Sequence, residues 1–341
     1  MRFNTFLRTA LVAGATLAAA SVTRAADISG AGATFPFPLY AKWAEAYKKD
    51  TGNGLNYQSI GSGGGIKAIQ AKTVTFGASD IPQTVEDQAK NGFVQWPMVM
   101  GGIVAVVNLE GVKSGEIVID GATLADIFLG KIKTWDDAAL KKLNPEAKLP
   151  AAAITVVHRA DGSGTTFNFT NYLDKVSADW HTKAGVSQSP EWPTGVGAKG
   201  NDGVAGTVGQ TKGAIGYVEY AYAKQQKLTY ANMINKDGKK VSPTVPAFQA
   251  AAANAKWSDA TGYYEILTNQ PGAESWPLTA ATFILMYKEP VDKAASAEAI
   301  KFFDWAFTNG NKMAEELDYI PMPAAVVTQI KATWASAIKN K

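Results

Sequence analysis

Ile154-Thr155-Val156-Val157-His158-Arg159-Ala160-Asp161-Gly162-Ser163-Gly164-Thr165 passes from an apolar run into a glycine-rich loop, and a periodic apolar run, Phe167 to Val176, follows. This order predicts a strand, a tight loop and the start of a helix. From Arg159 to Thr165 lie one permanent cation, one carboxylate, two hydroxyls and two glycines. Such a loop suits an anion. The first N–H groups of a helix lack internal partners, and the helix dipole adds partial positive charge there. Gly162 and Gly164 let the backbone come close to a ligand. Ser163 and Thr165 add hydroxyl donors, and Arg159 adds a planar fork of donors. Taken alone, an ordinary Ser/Thr helix cap beside a surface Arg–Asp pair accounts for the loop equally well.

The same order recurs upstream. Ile28 onward predicts a short strand, and Ala33-Thr34-Phe35-Pro36 a turn into a helix. In that helix Leu39, Trp43, Ala46 and Tyr47 fall at helical spacing, and Gly52 ends it. Leu55–Ile60 predicts a strand, Gly61 to Gly65 a loop, and Ile66–Ala71 a short helix. Val74–Ala78 predicts a strand ending at Ser79-Asp80, and Thr84–Lys90 a helix. Val99–Val107, with Gly101-Gly102 inside it, is an apolar strand long enough to bridge two lobes. Helices are then expected over Gly121–Leu129 and Thr134–Leu143. A second glycine-rich loop, Gly195 to Gly203, opens another helix, and Ala214–Val218 and Thr282–Tyr287 read as strands. Helices over Ala297–Phe307 and Ala324–Ile338 close the chain. Repeated strand–helix alternation predicts an α/β architecture with mostly parallel sheets. With no long linker in the sequence, two lobes would be joined by chain crossings.

A length of 341 residues suits two domains. Residues 1–25 stand apart. Arg2 and Arg8 flank a short charged start, Leu11 to Val22 is a small-residue apolar run, and Thr23-Arg24-Ala25 offers a cleavage site. This pattern predicts a secretory signal peptide, too short and alanine-rich for a membrane span. Its loss removes three arginines and no acid, so the 33 basic residues fall to 30 against 30 acidic ones. A neutral mature chain loses the main support for nucleic-acid or anionic-membrane binding. The sequence has no Cys, which excludes disulfides and a lipid-modified cysteine. Its two His, His158 and His181, make a His/Cys metal site improbable, and no metal or other cofactor is expected.

Three strand-to-helix loops therefore share one composition: Ala33-Thr34-Phe35, Gly61-Ser62-Gly63-Gly64-Gly65 and Asp161 to Thr165. Such loops gather at the carboxyl ends of strands, where α/β sheets bind ligands. Two precede the bridging strand and one follows it, so a shared ligand would lie between lobes. Competing motifs fail. Gly61 to Lys67 lacks P-loop spacing, and neither Ser62 nor Ser163 sits in a Gly-x-Ser-x-Gly elbow. His158 adjoins Arg159, so on a strand the two point to opposite faces and His158 is no base for Ser163. Asp80 admits two readings. It caps the following helix, or it accepts a proton that the ligand carries. Phosphate near neutrality keeps such a proton and sulfate does not. The carboxylate would then reject sulfate.

Gly30 to Pro36, Gly77-Ala78-Ser79-Asp80, Arg159 to Thr165, Gly200-Asn201-Asp202-Gly203, Gly213 to Tyr220 and Lys301 to Trp305 together resemble the periplasmic phosphate-binding proteins (PstS) of ABC-type phosphate importers. The resemblance spans the mature chain in order. It implies a two-lobed periplasmic-binding-protein fold of type II, each lobe a mixed, mostly parallel sheet flanked by helices. The cleft between lobes would close on phosphate about a hinge, without metal. On that reading lobe I takes residues 26–105 and 279–341, and lobe II takes 106–278. The implied ligand contacts are Thr34, Phe35 through its N–H, Ser62, Asp80, Arg159, Ser163, Gly164 through its N–H, and Thr165, with Asp161 holding the Arg159 guanidinium. Ser62-Gly63 stands where relatives carry Ser-Ser. The resemblance further implies a periplasmic, monomeric protein that is not an enzyme and delivers phosphate to an inner-membrane ABC permease. The rival from another class is an exported phosphatase using Ser163 or Thr165 as nucleophile. Within the binding class, sulfate, molybdate and arsenate are the rival ligands.

Overall fold

Phe93–Val107 carries fifteen residues without a charge, and in the computed structural model it forms one strand buried at every position. The structure describes residues 28–340, and the signal peptide expected over 1–25 lies outside these residues. The strand starts earlier than Val99, the expected first residue, because Pro97 does not end it. The register steps from Val99 opposite Thr282 to Pro97 opposite Phe283, leaving Met98 as the extra residue of a bulge. A bulge is where a sheet tolerates a residue with no N–H.

The strand changes partners half-way. Phe93–Gly102 pairs antiparallel with Thr279–Tyr287, and Ile103–Val107 pairs antiparallel with Ala214–Glu219. Beyond Thr279–Tyr287 lie Phe76–Ser79, Ile28–Gly32 and Leu55–Ser59, and beyond Ala214–Glu219 lie Thr155–Arg159 and Val196–Ala198. Both outer groups are parallel internally. The sheet is therefore mixed, parallel toward its two ends and antiparallel through the shared middle. Gly101 and Gly102 sit at the change of partners. A Cβ on Gly102 would lie 2.2 Å from the Phe248 ring, and one on Gly101 would crowd Phe35 and Tyr319.

Helices cover this sheet and set the glycine-rich loops. Phe37–Thr51 buries Leu39, Tyr40, Trp43 and Tyr47, and the left-handed Gly52 stops it by bonding its N–H to Lys48 O. Ser62–Gln70 lies so close to the first strand that Gly65 needs to be glycine. A Cβ there would be 2.5 Å from Gly32 Cα and 2.7 Å from the Ala78 carbonyl oxygen. Gly164–Val176 and Gly200–Gln210 pack on the other half. Phe169 stacks on Tyr217 with ring centroids 4.0 Å apart.

Several boundaries differ from expectation. The helix expected over Thr134–Leu143 covers only Ala138–Leu143, because Thr134 pairs with Ala153 and Asp137 caps the helix by accepting from Ala139 N. The last part of the chain holds an extra helix, Asn311–Glu316, between Lys293–Asn309 and Ala324–Ala337. A small sheet of Val118–Ile119, Asn232–Ile234 and Lys240–Val241 was not expected at all.

Two glycines separate close packing from helix propensity. Gly65→Ala meets backbone on three sides and should cost about 1–3 kcal/mol. Gly206→Ala, inside Gly200–Gln210 with open space around it, should gain about 0.5–1 kcal/mol. Urea unfolding of both variants checks the opposite signs.

Candidate functional site

Each of the three glycine-rich loops leaves a strand end, and the sheet brings those ends to one place. The turn at Thr34-Phe35 follows Ile28–Gly32, and Asp80 follows Phe76–Ser79. Ser62 opens its helix and accepts from Asp80 N at 3.0 Å. Arg159 ends its own strand on the other half, and Ser163 caps the helix Gly164–Val176.

The halves meet across this point. Gly63 N donates to Gly162 O at 2.9 Å, and Asn168 Nδ2 donates to Asp80 O at 2.9 Å. A Cβ on Gly164 would lie 2.3 Å from Ser62 Oγ and 2.6 Å from Asp80 Cβ, so only glycine fits. Thr34, Phe35, Ser62, Asp80, Arg159, Ser163, Gly164 and Thr165 are all buried.

Arg159 and Asp161 form a two-pronged pair, Nε to Oδ1 at 2.7 Å and Nη2 to Oδ2 at 2.5 Å. Gly200 N also donates to Asp161 Oδ1 at 3.1 Å. Burial opposes ionisation of Asp161, but the Arg159 hydrogen bonds and charge outweigh it and hold its pKa below the usual value. The third guanidinium nitrogen, Nη1, is buried with no hydrogen-bond partner.

Asp80 is the converse case. Neither carboxylate oxygen has a hydrogen-bond partner, and both are buried. Burial pushes its pKa up to about 7, against the opposing pull of the Thr282 hydroxyl, Arg159 and the Ser62 hydroxyl. Its capping alternative is excluded, since Thr84 caps the next helix by accepting from Asp87 N at 3.1 Å. A buried orphan donor and a buried orphan carboxylate together call for a ligand that both accepts and donates hydrogen bonds.

The hydroxyls have a set polarity. Thr34 Oγ1 accepts from Asn201 Nδ2 at 2.7 Å and from Asn201 N at 3.2 Å, and Thr165 Oγ1 accepts from the same Nδ2 at 3.1 Å. With its lone pairs filled, Thr34 has only a proton left to offer. Ser163 Oγ accepts from Thr166 N at 3.0 Å, which fills one of its lone pairs and leaves its proton free to donate. Ser163 is thus an ordinary cap and a site hydroxyl at once.

Tyr222 fixes the peptide that carries the Phe35 N–H, donating from its hydroxyl to Thr34 O at 2.6 Å. Asn201, Tyr222 and Asn168 were not singled out from the sequence as site residues. For Asn201 the signal was available, as Gly200-Asn201-Asp202-Gly203 opens a helix. For the two others nothing local gave them away.

His158 stacks on Trp192 at 4.6 Å and bonds Arg159 O through Nδ1, while burial lowers its pKa. His181 is paired with Asp174 on the surface. Among the described residues no cluster of His, Asp and Glu could hold a metal ion.

The PBP superfamily domain matches residues 17–309. The phosphate-binding protein PstS of Pasteurella multocida is 53% identical over 321 residues, covering 94% of this chain and 93% of its own. That of Haemophilus influenzae is 52% identical over 325 residues, 95% of this chain and 97% of its own. The chain belongs to the PstS family. Solved structures at lower identity share the two-lobed α/β fold. A high-affinity periplasmic phosphate-binding protein bound with phosphate matches at TM-score 0.72 and 20% identity, over 90% of this chain and 93% of its own. A phosphate-binding protein from Stenotrophomonas maltophilia matches at TM-score 0.70 and 20% identity, over 92% and 96%. In this PstS-family chain no helix among the described residues is long and apolar enough to cross a membrane.

Asp80 gives the ligand-free site a pH signature. Its folded pKa, about 7, lies above the ordinary aspartate value of 3.8, so between those values the folded chain keeps a proton that the unfolded chain loses. Stability contributed by the protonated group is complete below pH 3.8 and lost as pH rises through 7. The parent should lose on the order of 4 kcal/mol more than Asp80→Asn across that window. Urea unfolding of both proteins in anion-free buffer, at several pH values, measures the difference.

Proposed function

We propose that the chain captures inorganic phosphate between its two lobes and delivers it to an ABC-type membrane permease. The observation that carries this reading is the pair of buried orphans, Arg159 Nη1 and the Asp80 carboxylate. Phosphate accepts from the first and, through the proton it keeps near neutrality, donates to the second. Above about pH 7, where Asp80 is ionised, sulfate would face it as a like charge.

Net attraction between charges does not explain such a site. One cation, Arg159, stands against two carboxylates, Asp161 and Asp80. Binding then rests on directed donors: Arg159 Nη1, the hydroxyls of Thr34, Ser62, Ser163 and Thr165, and the N–H groups of Phe35 and Gly164. Two of these donors open a helix, where the dipole favours an anion. A micromolar affinity asks for about 8 kcal/mol, which charge-assisted hydrogen bonds supply after desolvation and closure costs.

The change of partners in the bridging strand supports assigning lobe I to residues 26–105 and 279–341 and lobe II to 106–278. The leader pattern in residues 1–25 and the lack of Cys support a periplasmic protein released by cleavage without a lipid anchor, and the resemblance implies a monomer. The PstS family is one of binding proteins, not enzymes. Ser163 has no base beside it that would make it a nucleophile, since His158 is stacked away on Trp192.

Calorimetric titration of the mature protein, first with phosphate and then with sulfate, tests the reading. Phosphate alone should saturate the protein and raise its melting temperature. Asp80→Asn should narrow the phosphate-over-sulfate preference by about tenfold or more. An unaltered preference in that variant removes the role given to Asp80.

A further inference from the structure

Glu219 ends the strand Ala214–Glu219, is fully buried, and touches neither the Asp80 nor the Arg159 side chain. Its position is nonetheless central. Its backbone N–H donates to Asn201 Oδ1 at 2.9 Å, and Asn201 bridges Thr34 and Thr165. Its backbone also pairs with Ile103 of the bridging strand, beside the Gly101-Gly102 step. Its side chain meets Tyr319. The Tyr319 hydroxyl lies 2.8 Å from Glu219 Oε2 and 2.7 Å from Phe35 O.

A proton count decides the state of this group. Tyr319 has one hydroxyl proton, and Phe35 O has none to give. If Glu219 were ionised, one of the two short contacts would press two acceptors together with no hydrogen between them. Glu219 Oε2 also accepts from Ala221 N at 2.9 Å, which takes one of its lone pairs, and a second proton on this oxygen makes both Tyr319 contacts hydrogen bonds. The other oxygen, Oε1, is buried without a partner, which a neutral carboxyl tolerates better than a carboxylate. The titratable neighbours are Tyr319 and Asp318 on the segment after Asn311–Glu316, and Tyr220 and Tyr222 on the helix that Glu219 begins. None of these four is a cation, and the nearby Lys224 is paired with Asp318 at 3.6 Å. Burial pushes the Glu219 pKa well above the usual carboxylate value, against the opposing pull of the Tyr319 hydroxyl and the Ala221 and Tyr220 N–H groups.

We propose that Glu219 is a neutral carboxylic acid that positions the phosphate loop, donating to Tyr319, which in turn donates to the Phe35 carbonyl. Together with Tyr222 on Thr34 O, this fixes both peptide planes that flank Phe35 and aims its N–H into the site. Because Tyr319 and Phe35 fall in lobe I and Glu219 in lobe II, the relay also joins the lobes beside their shared strand. This inference rests on the phosphate reading above and adds to it a positioning residue outside the ligand's reach.

Infrared spectroscopy of the phosphate-loaded protein, in mildly alkaline buffer, reads the proton directly. A protonated carboxyl carbonyl band should be present in the parent, persist in Asp80→Asn and vanish in Glu219→Gln. No such band in the parent, or its survival in Glu219→Gln, overturns the proposal. Calorimetry supplies the second arm. Tyr319→Phe leaves the Phe35 carbonyl unpaired and should weaken phosphate binding about tenfold. Glu219→Gln, which can still donate to Tyr319, should stay within about threefold of the parent and bind more tightly than Glu219→Ala. Parent-like binding by Tyr319→Phe, or equal losses in the Gln and Ala variants, also overturns it. A parent that fails to bind phosphate at all sinks the phosphate reading instead, while the infrared band still reports on Glu219.

Discussion

Asp161 takes two nitrogens of Arg159 and leaves the third, and the rest of the site follows from that division. The pair neutralises the cation, so the guanidinium can stay buried with no anion present. It also fixes the plane of the fork, so the free Nη1 has one direction in which to donate. A ligand therefore gains a rigid donor but little net charge. Asp80 faces the same space with the opposite need, a carboxylate lacking donors. The selectivity implied by the two groups is for protonation state as much as for shape.

Around that pair the protein removes freedom from every other polar group. Asn201 fills the lone pairs of Thr34, helix capping occupies a lone pair of Ser163, and Ser62 accepts from the Asp80 backbone. Thr34 is left with only a proton to offer, and Ser62 and Ser163 each keep a proton and one lone pair. Water, which can turn to suit any partner, gains less from such a surface than an oxyanion with fixed lone pairs. Preorganisation of this kind lowers the reorganisation needed on binding.

Much of this was legible in the sequence, for a local reason. Strand, glycine loop and helix start follow each other within a few residues, so composition alone locates the turns at Thr34, Ser62 and Arg159. The resemblance then gave the order of the parts and the family. What stayed hidden depends on distance along the chain. Tyr222 and Tyr319 reach the Thr34–Phe35 turn from about 190 and 280 residues away. Asp80 was ambiguous because capping and ligand binding use the same residue type, and only its burial without partners separates them. Pro97 hid the start of the bridging strand, Phe93 to Met98, since a bulge cannot be read from one strand without its neighbour.

The bridging strand has a mechanical consequence. Both lobes hydrogen-bond to one continuous backbone, so movement of either against the other must flex a strand and not swing a slack linker. Gly101 and Gly102 carry no side chains that would stiffen the bend, while the Phe248, Phe35 and Tyr319 rings press close to them. The loops on each side are held to one backbone, so a site assembled from two lobes keeps the precision of one built within a single domain.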